Sequence, residues 1–504
     1  MKHIYLLLLC LFCLSMKGQI AKLNEFSKGN FYSSDVIRDE KNNIKGYFLL
    51  YKTDKVANQT FGIEYVVLDE NFTRVTNGYI TEMKYESWIL DSERINVNVV
   101  GVYNNKLLIE LSDEIEGIDF YTRYRVLDLK SYEISKPFVY KKNKMDMDPV
   151  FKRSRMSLAY ERESERIGVF DGIGLVVDNH YEVSKNSPKR YLAHYDDNFK
   201  EVWRYEYSDK NNREKTKNIS YLASDEDVLV LFNQYSKYDK ATNQLSLLFI
   251  DAKKGKLKVE TGFPEREEFS YRIVDCYIKG GKVYVLGKYG DGNKIGLLRD
   301  EDNFGLYELV FDKASGKLLE SNYFKWESLM GKLDIKKNGY VKKEGLLYTH
   351  RMLLKEDGGI IAVAEAFTDG ITTNDLFFFE FDSKLGLKDM LEVSKFKNSF
   401  SGASITAETI RARGYFDFMD CQDLGDDEYL FFFNDNEKNV KNRKSATLYG
   451  VVSYSGGKFK KQTINLKTDK SAIRAYSAKK GYLLLIENFD GNKSSEFRLE
   501  KINY

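Results

Sequence analysis

The amino-acid sequence predicts an all-β protein of eight four-stranded antiparallel units, a β-propeller, with seven units as the alternative. Three observations lead to this prediction: aromatic residues are abundant, prolines are few, and short apolar runs recur along the chain. The 504 residues include 36 Tyr and 33 Phe but only 4 Pro, a composition that favours strands. No Pro-, Gly- or Ser-rich linker interrupts the chain, so we expect residues 19–504 to form a single domain.

The apolar runs recur roughly every 62 residues, a period long enough for four strands and their turns. After each of the first seven runs comes another strand that ends in a polar turn residue, usually aspartate. We interpret the run as the second strand of a unit and the later strand as the third. The eight runs are Tyr47–Tyr51, Leu107–Leu111, Leu175–Val177, Val228–Phe232, Val283–Leu286, Ile360–Ala364, Tyr429–Phe433 and Tyr482–Ile486.

The aspartates after the third strands are interpreted as turn residues rather than metal ligands. An aspartate at the start of a turn accepts backbone hydrogen bonds, and a glycine later in the turn supplies a positive φ. In three units the glycine stands four residues after the aspartate, as Gly255, Gly316 and Gly386. The regular spacing of these residues is typical of a scaffold.

The eighth unit has room for only three strands, because its second-strand run begins at Tyr482 and the sequence ends at Tyr504. The segment Gln19–Phe26 precedes the first unit and has no partner there. We therefore expect it to pair with Ser494–Ile502 and to close the propeller as the missing strand, which would leave no open sheet edge at that point.

The first 18 residues are interpreted as a secretory signal peptide. Lys2 precedes the apolar run Ile4–Leu14, and Gly18 is a small residue at a suitable cleavage position. The run is too short to span a bilayer, which needs about 20 residues. We therefore expect export to the periplasm, the outer-envelope surface or the extracellular space, with no transmembrane span in the mature chain.

Charge and motifs exclude several classes of function. The 78 Lys and Arg residues are balanced by 76 Asp and Glu residues, and loss of Lys2 and Lys17 would leave no net charge, so nucleic acid is not an expected partner. The zinc, phosphate-loop, dinucleotide and Gly-x-Ser-x-Gly motifs are absent from the sequence. No cofactor is expected, and the sequence does not indicate catalysis.

Two cysteines, Cys276 and Cys421, follow the predicted signal peptide. They occupy equivalent positions in units that are two apart, where the Cα atoms are expected to lie farther apart than the roughly 7 Å that a disulfide permits. We predict free, buried thiols.

A site is expected on the long connections between units, since loops on a rigid scaffold commonly carry function. Those connections are Lys84–Glu93, Lys141–Arg153, Lys325–Glu344 and Ser399–Arg413, with Lys288–Phe304 inside the fifth unit. Tryptophan can stack on a ligand or simply pack between units, and arginine can bind an anion. The candidate binding residues are Trp88, Trp326, Arg411 and Arg413, and the weak calcium candidates, beside Glu301, are Asp291, Asp300 and Asp302.

The signal peptide, the Tyr-, Phe-, Lys- and Asn-rich composition and the repeated strands together resemble exported β-propeller-like proteins of unknown function from Gram-negative bacteria. The resemblance implies a location in the envelope or outside the cell, and no particular activity. The leading hypothesis is a binding or interaction module whose partner is a glycan or an envelope protein. The alternatives are a carbohydrate-active enzyme with acids in a central pocket and a structural envelope protein.

Overall fold

A computed structural model describes residues 19–39, 43–52, 60–83, 94–115, 118–138, 165–179, 189–209, 215–237, 240–264, 269–291, 303–368, 372–399, 407–436, 448–466, 471–489 and 495–502. Antiparallel strands make up most of these residues. Within the described part of the chain, no helix has the length and apolarity that crossing a membrane requires. The predicted signal peptide, residues 1–18, lies outside the described residues.

The strands form eight separate antiparallel sheets, which we number one to eight from the N-terminus. The first strand of the chain is β1 (Gln19–Lys22), and a 3-10 helix (Leu23–Glu25) follows it. Sheet one contains β2 (Asn30–Arg38), β3 (Ile44–Lys52), β4 (Thr60–Asp69) and β5 (Arg74–Met83). Sheet two contains β6 (Arg94–Tyr103), β7 (Lys106–Ile115) and β8 (Ile118–Asp128). Sheet three contains β9 (Glu165–Phe170), β10 (Gly174–Asn179), β11 (Lys189–Tyr195) and β12 (Glu201–Asp209).

Sheets four and five have four strands each, and sheet six has six. Sheet four contains β13 (Thr216–Ser224), β14 (Val228–Lys237), β15 (Lys240–Asp251) and β16 (Leu257–Gly262). Sheet five contains β17 (Phe269–Lys279), β18 (Lys282–Asp291), β19 (Asn303–Asp312) and β20 (Leu318–Lys325), and a second 3-10 helix (Trp326–Leu329) follows it. Sheet six contains β21 (Tyr340–Val341), β22 (Gly345–Leu354), β23 (Ile360–Thr368), β24 (Thr372–Phe381), β25 (Leu387–Val393) and β26 (Asn398–Ser399).

A short helix, α1 (Ala407–Ala412), lies between sheets six and seven in the chain. Sheet seven contains β27 (Phe418–Gly425), β28 (Glu428–Asp435), β29 (Leu448–Ser455) and β30 (Lys458–Asn465). Sheet eight is built from β31 (Ser471–Ser477), β32 (Tyr482–Phe489), β33 (Ser495–Lys501) and β1. The predicted fold class, an eight-bladed β-propeller of antiparallel sheets, is confirmed.

The chain divides into two units. The first comprises residues 1–86, 419–456 and 460–504, and the second comprises residues 87–418 and 457–459. Sheets two to six therefore belong to the second unit. The single-domain prediction stays a prediction.

The predicted N-terminal strand of sheet eight is confirmed. β1 pairs antiparallel with β33, with Gln19 opposite Leu499 and Lys22 opposite Glu496. Just after β1, Leu23 is buried against sheet one, and the hydroxyl of Tyr51 donates a hydrogen bond to its carbonyl oxygen at 2.7 Å. The start of the described chain is thus bonded to both sheet eight and sheet one of the first unit.

The second and third strands of each sheet form the core. In sheet four, Val228–Leu231 of β14 and Leu247–Ile250 of β15 are buried, whereas the fourth strand, β16, is mostly half-buried or exposed. Apolar faces of neighbouring sheets pack together, as sheets four and five do through Val230, Phe249, Val285 and Leu309. Burial on both faces explains why the second strands appear in the sequence as continuous apolar runs rather than as alternating ones.

The turn aspartates act as predicted. Oδ1 of Asp69 accepts hydrogen bonds from the amides of Asn71 and Thr73 at 2.8 and 2.7 Å, and Asp382 accepts similar bonds in sheet six. Gly255 and Gly316 have the expected positive φ, +63° and +66°. In sheet six the expectation was wrong in detail, because the positive φ falls on Leu385 rather than on Gly386.

The connection Lys325–Glu344, predicted to be a binding loop, is part of the core. It contains the second 3-10 helix and β21. Its apolar side chains Leu329, Leu333, Ile335 and Val341 are buried in the hydrophobic cluster of sheets five and six. The residues of this connection therefore stabilise the second unit.

Candidate functional site

A cavity of about 690 Å³ lies in the second unit. Its walls come from the first long strands of sheets four, five and six, namely β13, β17 and β22, with further residues from the end of β18. β17 packs beside both β13 and β22, and most of its side chains are half-buried, as expected for a strand that faces a cavity rather than another sheet. The cavity includes the end of β18 and the start of β19, where the long connection of the fifth unit was expected.

In the part of the chain that the structure describes, four basic and two acidic side chains line this cavity. The basic residues are Arg272, Lys288, Arg351 and Arg411, and the acidic ones are Asp275 and Asp291. The described lining therefore carries more positive than negative charge. The basic side chains come from four different elements, β17, β18, β22 and α1, so the tertiary structure rather than local sequence brings them together.

Asp275 holds the first strands of sheets five and six together. Arg351 Nε lies 3.1 Å from Asp275 Oδ1, and the backbone amide of Met352 donates to Asp275 Oδ2 at 2.7 Å. Burial raises the pKa of Asp275, while the Arg351 guanidinium and the Met352 amide act in the opposite direction. One of the two acids in the wall is thus engaged by β22.

Tyr348 contacts two of the basic side chains. The ammonium nitrogen of Lys288 lies 5.2 Å from the centroid of the Tyr348 ring, and Arg411 Nη1 donates to the Tyr348 hydroxyl at 3.3 Å. Lys288 is buried, with 6 % of its surface exposed. The contact with the face of an aromatic ring partly offsets the cost of burying an ammonium group.

An aromatic cluster fixes the position of Tyr348. Its ring stacks on Phe416 with centroids 4.7 Å apart and meets His350 edge to face at 5.0 Å. Phe416 and the helix residues Ala407 and Ile410 are buried in the same cluster. This packing anchors α1, so Arg411 is carried by an element whose inner face is fixed.

Behind His350 lies a buried network of charged residues. His350 Nε2 is 3.2 Å from Glu365 Oε2, and Lys395 Nζ is 3.1 Å from Glu365 Oε1 and 2.6 Å from Asp417 Oδ2. Asn398 Nδ2 also donates to Asp417, and the backbone amide of Asp417 donates to Glu365. The network joins β22 and β23 to the segments on either side of α1.

The surroundings of each side chain indicate which residues of this network are charged. Burial would raise the pKa of Glu365, but Lys395 and His350 outweigh burial and lower it. Burial and the nearby Glu365 carboxylate raise the pKa of Asp417 to about 6, although Lys395 and Asn398 act in the opposite direction. Burial also lowers the pKa of His350, so a neutral His350 donates Nε2–H to the ionised Glu365 and keeps Nδ1 as an acceptor.

The remaining wall is aromatic and polar. Tyr221, Tyr271 and Tyr289 line the cavity, and the hydroxyls of Tyr271 and Tyr323 are hydrogen-bonded at 2.9 Å. Thr349 also lines the cavity, and its buried hydroxyl has no hydrogen-bond partner among the described residues. Together with the basic residues, this wall can hold an organic ligand that has both an apolar body and polar substituents.

Of the four predicted binding residues, one lines the cavity, two do not, and one lies outside the described residues. Arg411 lines the cavity and Arg413 does not, although both are exposed. Trp326 is fully buried, and its indole nitrogen donates to Asn303 Oδ1 at 2.8 Å. Its ring therefore packs in the core, which was the alternative interpretation of the sequence. Trp88 lies outside the described residues.

The calcium candidates are only partly described. Asp291 lies at the cavity, while Asp300, Glu301 and Asp302 fall outside the described residues. In the described ranges, no group of three or more His, Cys, Asp or Glu side chains is arranged to hold a metal ion. The two cysteines are free thiols, Cys276 in the cavity wall on β17 and Cys421 on β27, and both are half-buried.

Most residues of the cavity, and of the charged network behind His350, were not predicted from the sequence. Glu365 gives the clearest signal that could have been used, since it is a single acid within the apolar segment Ile360–Phe367. A charged residue in a buried strand needs a partner of opposite charge. The sequence alone does not identify that partner as Lys395, which lies 30 positions later.

Comparison with known proteins gives a family and several structural likenesses. A family described as "Family of unknown function (DUF6770)" matches residues 1–376 and 368–503. The Dos1 propeller is similar at 10 % identity, over 97 % of this chain and 96 % of that chain, with a TM-score of 0.43. None of the curated proteins matches the sequence.

Two further solved structures are similar over most of the chain. Drosophila Semaphorin 1a, extracellular domains 1-2, is 10 % identical over 81 % of this chain and 86 % of that chain, with a TM-score of 0.37. The β-propeller domain of the Trilobed protease from Pyrococcus furiosus is 7 % identical over 82 % of this chain and 97 % of that chain, with a TM-score of 0.36.

Proposed function

The chain belongs to the family of unknown function DUF6770, and we propose that it is a binding module whose ligand occupies the cavity of the second unit. One observation carries the proposal: a cavity of about 690 Å³ is walled by three neighbouring sheets and lined with both aromatic and charged side chains. Ligand sites commonly have volumes of about 300–1,000 Å³ and combine an apolar wall with a few polar groups.

The cavity favours ligand binding over the two alternatives. A purely structural envelope protein has no need of a lined cavity of this size. A carbohydrate-active enzyme needs a pair of carboxyls that can act as acid and as base or nucleophile. Of the two carboxyls among the described lining residues, Asp275 is engaged by Arg351 and the Met352 amide, which disfavours that role.

We further propose that the protein is exported and that its partner is a small molecule or glycan of the cell envelope or its surroundings. Lys2, the apolar run Ile4–Leu14 and Gly18 support a cleaved signal peptide. β1 begins at Gln19, the residue after the proposed cleavage site. N-terminal sequencing of the protein recovered from the periplasm of a Gram-negative host tests this proposal, and recovery only from the cytoplasm with residues 1–18 intact contradicts it.

The binding proposal is tested with a variant that fills the cavity. Ser270 lies in the cavity wall on β17, and Ser270→Trp places a large ring there. Ser321 on β20 is exposed in the same sheet, so Ser321→Trp is the matched control. A glycan and metabolite panel is screened with the wild-type chain by thermal shift, since a bound ligand stabilises the folded state.

We expect a ligand found in the screen to stabilise the wild type and Ser321→Trp but not Ser270→Trp. Circular dichroism and the melting temperature without ligand show whether both variants are folded. Equal stabilisation of all three proteins places the ligand outside the cavity and contradicts the proposal.

A further inference from the structure

On the premise of the proposed function, we infer that the cavity recognises the oxyanion of an organic ligand, a carboxylate, phosphate or sulfate, through Lys288 and Arg411, which both contact Tyr348. This inference goes further than the presence of a ligand site, because it names the charged group that the ligand must carry. It follows from the arrangement of charges in the wall, the burial of Lys288 and the support behind Tyr348.

The charge of the lining provides the first argument. Among the described residues, four basic and two acidic side chains line the cavity, and one of these acids, Asp275, is already bonded to Arg351. A cleft lined mainly by charges of one sign concentrates their electric field inside it. An anionic ligand gains more from this wall than a neutral one does.

The convergence of two cations on one tyrosine provides the second argument. Lys288 Nζ is 5.2 Å from the Tyr348 ring centroid, and Arg411 Nη1 is 3.3 Å from the hydroxyl of the same residue. An oxyanion bound beside Tyr348 would accept charge-assisted hydrogen bonds from both side chains.

The rigidity of the site provides the third argument. Tyr348 is held by Phe416 and His350, and α1 is anchored by Ile410. Side chains that are already positioned lose less conformational entropy when a ligand binds. The buried hydroxyl of Thr349, which has no hydrogen-bond partner in the described part of the chain, adds a donor in the same wall.

The acids near Tyr348 do not oppose this inference. Glu365 and Asp417 lie behind His350, where Lys395 is bonded to both. Asp291 is the remaining acid in the described wall, and it comes from β18 as Lys288 does. The described wall therefore carries two more basic than acidic side chains.

The test uses matched ligands of one shape and different charge. D-glucuronate and D-glucose 6-phosphate carry a carboxylate and a phosphate, and D-glucose is the neutral control. Binding to the full mature chain is measured by titration calorimetry at low and at raised salt. We expect at least one anion to bind about tenfold or more tightly than D-glucose, corresponding to about 1.4 kcal/mol, and to weaken as salt rises. Tighter binding of D-glucuronate indicates a carboxylate site, and tighter binding of D-glucose 6-phosphate indicates a phosphate site.

Two arginine variants locate the site. Arg411→Gln removes a cation from the wall, and Arg413→Gln removes an exposed cation two residues away that does not line the cavity. We expect Arg411→Gln to weaken anion binding about tenfold and Arg413→Gln to leave it unchanged. Arg411 is on the surface of α1, so its substitution does not disturb the core. Lys288→Gln is added as a second variant if it folds.

The outcomes separate the inference from the proposed function. A ligand that is excluded by Ser270→Trp but binds equally well with and without an anionic group overturns the inference and leaves the binding proposal intact. Anion binding that is equal in Arg411→Gln and Arg413→Gln also overturns the inference. If the wider panel contains no ligand that Ser270→Trp excludes, the proposed function itself fails.

Discussion

Arg351 Nε lies 3.1 Å from Asp275 Oδ1 and 3.3 Å from Asp275 Oδ2, so the guanidinium of β22 is bonded to a carboxylate of β17 in the preceding sheet. The same carboxylate accepts the backbone amide of Met352 at 2.7 Å. Asp275 thus fixes the spacing of the two strands that form much of the cavity wall. The contribution of Asp275 to the stability of the second unit can be measured by substitution.

We expect Asp275→Asn to lower the free energy of unfolding by about 1–3 kcal/mol, because a charge-assisted pair is lost and Arg351 keeps its positive charge. Asp389→Asn on β25 is the control, since Asp389 is exposed and its substitution is expected to cost no more than about 0.5 kcal/mol. Urea denaturation of both variants gives the two values. Equal stability of the two variants would show that Asp275 does not connect the sheets.

The buried ammonium of Lys395 is expected to be essential to the network behind His350. Lys395→Met leaves Glu365 and Asp417 without their shared cation, so we expect a loss of about 3–5 kcal/mol. Lys397→Met is the matched control, because Lys397 is half exposed and pairs with Glu344 at the surface, where an ion pair contributes about 0–1 kcal/mol.

A double variant distinguishes the loss of charge compensation from the loss of packing. Lys395→Met combined with Asp417→Asn keeps one carboxyl instead of two in the network. We expect the double variant to be more stable than Lys395→Met alone, because less uncompensated charge remains buried. If the double variant is less stable by the full sum of the single effects, the two residues do not interact in the way their 2.6 Å contact indicates.

The sequence predicted the sheets better than the site, because the sheets follow from local repeats along the chain whereas the site depends on contacts between sheets. Each apolar run and each turn aspartate, such as Asp69, belongs to a local pattern that repeats from sheet to sheet. The cavity instead depends on contacts between sheets, such as Arg351 with Asp275 and Arg411 with Tyr348. The pattern within one sheet does not determine which side chains of the next sheet it meets.

Trp326 and Arg411 show this limit clearly, since both were chosen because they lie in long connections. Trp326 belongs to a connection that folds into the core, so its ring is buried and its indole nitrogen bonds to Asn303. Arg411 belongs to a connection that forms α1, from which its guanidinium reaches Tyr348. The length of their connections marked both residues as binding candidates. Only the packing of each connection shows that Arg411 lines the cavity and that Trp326 lies in the core.

Glu308 makes the stability of the second unit depend on pH. It lies on β19 in the core, and burial raises the pKa of its carboxyl from 4.5 to about 7. A carboxyl with a higher pKa in the folded state binds its proton more tightly when folded, so its contribution to stability declines as pH rises through that window. Asn322 Nδ2 donates a hydrogen bond to Glu308 Oε2 at 2.8 Å. The side-chain oxygen of a glutamine at this position can accept the same bond.

We therefore expect Glu308→Gln to reduce the decline in unfolding free energy between about pH 5 and about pH 8. Glu327→Gln is the control, because Glu327 lies just after β20 in the same unit and is exposed. Urea denaturation at several pH values measures the decline for each protein. A Glu308→Gln variant whose stability falls with pH as steeply as that of the wild type would contradict the assignment.

The pairing of β1 with β33 is tested by moving a proline along β1. In an antiparallel pair, adjacent residues alternate between positions that do and do not hydrogen-bond to the partner strand. Ile20 lies opposite Arg498 and Ala21 lies opposite Phe497, so only one of Ile20→Pro and Ala21→Pro removes an amide that bonds to β33. We expect the variant that removes this amide to lose about 1–3 kcal/mol of unfolding free energy and to melt a few °C lower. The other variant should be less affected, since proline is tolerated at edge positions whose amide faces away from the sheet. Differential scanning calorimetry compares the two with the wild type. Two variants that both melt at the wild-type temperature would show that β1 does not contribute to the stability of sheet eight.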